Sequence, residues 1–117
     1  MTLPARVPSA YQHSADTPLP MQNPPALDSA AVLASLVARP LTDGAFKIAA
    51  AMLVLSSRSL RWLDLPEVAT TAGMTEGRAR QFLGELVRAR VITRQKQLVY
   101  RDGKPTARNR YALAVTA

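Results

Sequence analysis

The sequence predicts a mainly α-helical chain with a small antiparallel β-hairpin near its C-terminal end, and three observations carry that expectation. Between residues 28 and 58, apolar side chains recur at helical spacing behind good N-cap residues. From Pro66 to Val91 the chain reads as two helices meeting at a sharp turn at Gly73. After Thr93 the period becomes alternating, around a turn at Asp102 and Gly103.

The first 27 residues precede any of this. Met1 to Pro25 holds six prolines among polar residues without periodicity, and is expected to be a disordered or extended arm, either a plain linker or a tether for a protein partner. His13, the single histidine, lies in this arm with no acid or second histidine near it in sequence, so no metal or catalytic role is expected for it. Residues 28–117 are expected to form one domain.

Asp28 can cap a helix from Ser29 to about Ala38, stopped by Arg39 and Pro40. Its apolar stripe of Val32, Leu33, Leu36 and Val37 is expected to pack on the core or to form a dimer interface. Thr42 and Asp43 then cap a helix from about Gly44 to Ser57, with one stripe at Phe46, Ala49, Ala50 and Leu53 and another at Ile48, Met52 and Leu55. Such a helix needs cover on two sides. A short strand is expected at Arg61 to Asp64, with Trp62 as a packing anchor.

Pro66 suits a first helical turn and Glu67 favours the positive end of the helix dipole, so a helix is expected from Pro66 to about Ala72. Capping explains Asp64 and Glu67 better than acid–base work. Gly73 closes that helix, and Thr75 caps a second one from Glu76 to about Arg90. Gly77 and Gly84 each cost a helix about 1 kcal/mol relative to alanine, which suggests close backbone approach, to a ligand at Gly77 and to a neighbouring helix at Gly84. In the hairpin, Leu98 and Tyr100 alternate with Val99, and Tyr111, Leu113 and Val115 alternate on the return. Pro105 cannot donate to a ladder, so the loop is expected to widen from Asp102 to about Ala107.

Charge narrows the classes of partner. The net charge is +7, and residues 1 to 74 balance five basic side chains with five acids. From Thr75 onward ten basic residues face three acids, and most of the ten are arginine, whose planar fork suits phosphates and guanine edges. No cysteine is present to make a disulfide or a thiolate metal site, and no apolar run approaches a membrane span. A phosphate loop, paired carboxylates on one helix face and a nucleophile with its base are also missing, so neither an enzyme nor a cofactor or metal site is expected. An intracellular, cytoplasmic protein is the expectation.

Ala69, Gly73, Met74, Ala79 and Phe82 match the spacing of the bacterial helix-turn-helix, and VITRQKQLVYRDGKPTARNRYAL resembles the β-hairpin wing of winged-helix proteins. The resemblance covers about Leu41 to Val115 and is similar to the DNA-binding modules of phage and plasmid replication or control proteins, more loosely to MarR-like repressors. It implies a winged helix-turn-helix with an extra N-terminal helix, and a three-stranded sheet in which the strand near Trp62 pairs with the wing. It also implies a recognition helix in the major groove of double-stranded DNA, with Thr75, Glu76, Gly77, Arg80 and Gln81 toward base edges and Arg78 near phosphate. Wing contacts are expected from Arg101, Lys104, Arg108 and Arg110, crowded around a mobile tip.

The function expected from this is sequence-specific DNA binding by a homodimer acting as a transcriptional repressor or autoregulator. An accessory factor of plasmid or phage replication or partition is the near alternative. A winged-helix protein-interaction module, seizing a partner through the arm and the 29–38 helix, is the alternative from another class.

Overall fold

The computed structural model describes residues 21–114. Among them lie helices α1 (Ser29–Ala38), α2 (Asp43–Arg58), α3 (Leu65–Ala72) and α4 (Glu76–Arg88), followed by strands β1 (Ile92–Arg101) and β2 (Lys104–Leu113) of one antiparallel hairpin. No described helix is long and apolar enough to cross a membrane. The described residues fall into two compact units, one holding Gln22–Gln95 with the chain from Asn109 onward, the other holding the hairpin end, Lys96–Arg108.

The larger unit is built around α2, which packs against α1, α3 and α4. Its sequence explains why. Ala45, Ile48, Ala49, Ala51 and Met52 are buried on more than one side of the helix, and small alanines let neighbours approach. Leu63, Val68, Leu83, Leu86 and Val91 complete the core from the following elements. Each of the first three helix starts bears the cap its sequence announces: Asp28 accepts from the Ala31 N–H, Thr42 from Ala45, and Asp64 from Glu67.

Several expectations change. In α1, Val32 and Leu36 are buried in the core, so they are not available to a dimer interface, whereas Leu33 and Val37 remain 47% and 71% exposed. The helix is apolar around its circumference, and only one side of it meets α2. The expected three-stranded sheet reduces to a single bridge, in which Leu63 and Tyr111 exchange both backbone hydrogen bonds at 2.8 Å. A longer strand cannot follow, because Asp64 is already the cap of α3 and Pro66 lies in its first turn. Leu63, not Trp62, is the buried anchor there.

The hairpin does not widen at Pro105. Asp102 (φ 54°) and Gly103 (φ 75°) make a tight two-residue turn of the kind that matches strand twist. Arg101 and Lys104 then form the hydrogen-bonded pair next to the turn, and Pro105 falls in the next, non-bonded pair, where its missing N–H faces away from β1. α4 also ends earlier than expected, at Arg88, with Arg90 in the left-handed region (φ 61°). The Arg90 N–H donates to Val87 O and the Val91 N–H to Leu86 O, the same pair of closing bonds that Gly73 and Met74 make at the end of α3.

Of the arm expected over residues 1–27, residues 1–20 lie outside the described residues, as does Val115 of the returning strand. Residues 21–28 form neither helix nor strand, yet Leu27 packs on the core and the Trp62 Nε1–H donates to the Gln22 carbonyl.

Candidate nucleic-acid interface

Three residues separate α3 from α4, and the turn between them is fixed locally. Gly73 (φ 70°) takes the left-handed conformation that most side chains avoid, and the Met74 N–H reaches back 2.9 Å to Ala69 O. Thr75 Oγ1 accepts from the Arg78 N–H at 3.3 Å, which starts α4. Ala79, Leu83 and Leu86 form its buried side.

Thr75, Glu76, Gly77, Arg78, Arg80 and Gln81, the residues expected toward DNA, are all exposed. At 3.6 residues per turn they do not share one direction. Gly77 and Gln81 lie opposite the buried side, and the same line continues through Gly84 to Arg88. Arg80 and Arg78 flank it on either side, with the Arg78 guanidinium 5.7 Å from the centre of the Phe82 ring. Arg88 and Gly84 are thus members of the outward line that sequence reasoning omitted. Spacing from Gly77 and Gln81 held the signal, because positions four, seven and eleven residues on from Gly77 share its face.

Gly84 corrects a second expectation. A Cβ there would meet only the Arg88 guanidinium, at 3.4 Å, so no neighbouring helix approaches it, and at Gly77 a Cβ would meet nothing within 4 Å. The close approach that does require glycine is Gly44 in α2, where a Cβ would lie 2.2 Å from the Phe82 ring. Phe82 therefore seats α4 on α2, and Glu85 adds a polar tie, accepting from Thr42 N–H at 3.1 Å and Thr42 Oγ1 at 2.8 Å. That tie uses one of the two acids of α4 inside the fold, leaving Glu76 as its exposed carboxylate. At the other end of α4, Arg39 donates to the Ala89 carbonyl at 2.9 Å, where a cation suits the negative pole of the helix.

α3 is held differently. Asp64 and Glu67 form a reciprocal capping box, and each carboxylate also takes an arginine, Arg110 to Asp64 at 3.0 Å and Arg61 to Glu67 at 2.7 Å. Partial burial pushes the Glu67 carboxyl upward, but hydrogen bonds from Arg61 and the Asp64 N–H, with the charges of Arg61 and Arg110, outweigh it and hold it below its ordinary value. The Glu67 hydrogen bond in turn raises Arg61, against the opposing effect of burial.

In the hairpin unit every residue from Arg101 to Asn109 is exposed. Arg101, Lys104 and Arg108 belong to it, and Arg101 and Lys104 are direct cross-strand neighbours of like charge beside the turn. Arg110 does not join them. It belongs to the larger unit, paired with Asp64, and its place there corrects the expectation of a fourth cation at the tip.

The described residues contain no group of His, Cys, Asp or Glu that could hold a metal ion. Comparison with protein-family models, with curated proteins and with solved structures gives no match to this chain.

Proposed function

We propose that the protein is a winged helix-turn-helix that binds double-stranded DNA, with α4 as its recognition helix. The observation that carries this is the composition of the outward side of α4. Bare backbone at Gly77 and Gly84 alternates there with Gln81 and Arg88, Arg78 and Arg80 flank it, and one of the helix's two acids is drawn into the fold by Thr42. A helix of this kind can lie close to a groove floor, fork an arginine onto guanine and offer glutamine to adenine. Arg101, Lys104 and Arg108 of the hairpin add phosphate contacts as a separate element.

The working unit in this reading is a homodimer acting as a repressor or autoregulator in the cytoplasm, with Leu33 and Val37 of α1 at the subunit contact. The same exposed pair also favours the second reading, in which α1 docks a different protein and the domain is a scaffold.

Titration onto random-sequence duplex fragments at two salt concentrations, with sequencing of the bound fraction, tests the proposal. Enrichment of an inverted repeat, with affinity falling as salt rises, is expected for the dimer. Tandem repeats would point to a replication or partition role, and no retention even at low salt would sink the DNA reading.

A further inference from the structure

We propose that a recess at the C-terminal end of α4 binds a phosphate group, held by Arg90 and Arg94. The recess measures about 390 Å³ and is lined by Val87, Arg90, Ile92, Thr93, Arg94 and Ala114, all of them in the larger unit. No carboxylate lines it. Both arginines are exposed, and their guanidinium groups make no hydrogen bond or ion pair among the described residues. Arg39, Arg61 and Arg110, by contrast, are tied into the fold.

A second observation is the backbone at Arg90. Gly73 and Arg90 hold the same place in the closing bonds of α3 and α4, and both are left-handed, at φ 70° and 61°. Glycine takes that conformation freely, whereas an arginine is held there against its own preference. No hydrogen bond or ion pair of its side chain offsets that cost within the fold; a ligand would.

Backbone donors add to the two guanidinium forks. Val91 O accepts from the Ala114 N–H at 2.9 Å, so these two are a bonded pair of the ladder, and Ile92 and Arg94 fall in non-bonded pairs with their N–H groups on the side away from β2. Both residues line the recess, as does Thr93 with its hydroxyl. A phosphate accepts several such donors at once and suits the planar fork of arginine. Val87, Ile92 and Ala114 supply an apolar wall for the carbon body of a phosphate ester, in a volume typical of small-molecule sites. Val87 follows Arg80 by seven residues on the same flank of α4, which puts the recess about 10 Å along the helix axis from Arg80. Either a DNA strand or a free phosphate ester can bring the group there, and the site does not rest on the DNA reading.

The test titrates inorganic phosphate into the isotope-enriched full-length protein, with chloride at matched ionic strength as the control. Saturable shifts of the Ile92 and Arg94 amide signals and of the Arg90 and Arg94 Nε–H signals are expected with phosphate and not with chloride. Arg90→Gly and Arg94→Gln should each weaken phosphate binding by about tenfold or more, while Arg90→Gly raises the urea midpoint. Shifts that never saturate, that chloride reproduces, or that survive both substitutions would overturn the site. A lower midpoint in Arg90→Gly would show that the side chain fastens the fold, and would overturn it as well. Duplex titrations then identify the source. If the same substitutions weaken duplex binding and phosphate competes with it, a DNA strand supplies the group; if duplex binding is unchanged, a free ester does. A protein that binds phosphate saturably yet retains no duplex keeps the site and loses only the DNA reading.

Discussion

α3 and α4 follow one another across a three-residue turn, yet their N-terminal ends are built on different principles. Around the start of α3, Arg61, Asp64, Glu67 and Arg110 form two ion pairs and a capping box, with the Leu63–Tyr111 bridge beside them. Around the start of α4, the hydroxyl of Thr75 makes the cap, and Arg80 and Gln81 stand in solvent. Arginines near α3 fasten the fold; those of α4 are held from behind, through Phe82 on Gly44 and Glu85 on Thr42, with their outer side left open. Charge count alone does not separate the two groups. Partners do.

The widest test of this contrast exchanges the two kinds of arginine. Replacing Arg80 and Gln81 together with alanine is expected to weaken binding to the preferred duplex by about 10- to 100-fold or more, while stability changes by no more than about 0.5 kcal/mol. Arg61→Ala should leave DNA affinity unchanged in the same fluorescence-anisotropy titration. Equal losses from both variants would erase the distinction.

Gly44→Ala probes the seat of α4 from the α2 side. Overpacking against Phe82 is expected to cost about 1–3 kcal/mol in urea denaturation, and adding Phe82→Ala should remove most of the coupling between the two sites. Asp64→Ala, which deletes the cap of α3 and the ion pair from Arg110, should cost about 1–2 kcal/mol. For the outer side of α4, Gly84→Ala is expected to raise stability by up to about 1 kcal/mol and at the same time to lower DNA affinity, because the new methyl group stands where the backbone would approach the groove. A stabilised variant with undiminished affinity would remove Gly84 from the interface.

The smallest effect concerns pH. Glu67 is held below its ordinary value in the folded chain, so its contribution is fully present above the unfolded carboxyl value of about 4.3 and is lost as pH falls through the lower folded value. Urea midpoints measured from neutral pH down to about pH 3 should therefore fall less steeply for Glu67→Gln than for the parent chain.

What could be read in the sequence was local in origin. Asp28, Thr42 and Thr75 cap the residues just after them, and Gly73 meets a conformational demand that no neighbour in space alters. The helices and the turn between α3 and α4 were legible for that reason. Phe82 over Gly44 was not, because it joins residues far apart in the chain and neither residue type announces a contact. Arg110 looked like a tip cation because strand alternation says nothing about Asp64 being close by. Pro105 misled for a related reason: its missing N–H matters only on the inward side of a ladder, and the turn at Asp102 decides which side that is. In the candidate site, the first two turns of α4 were legible from its cap, whereas Gly84 and Arg88 needed the helix to be followed farther around its axis.

The Leu63–Tyr111 bridge has a consequence in folding time. Caps and the tight hairpin involve neighbours in the chain and form on the fastest timescales of folding, but the two backbone bonds of the bridge close a loop that contains α3, α4, β1 and most of β2. Loop closure is unrewarded until the intervening elements are in place. The bridge is therefore expected to form among the late steps of assembly, where the chain ahead of α3 meets the strand that follows everything α3 began.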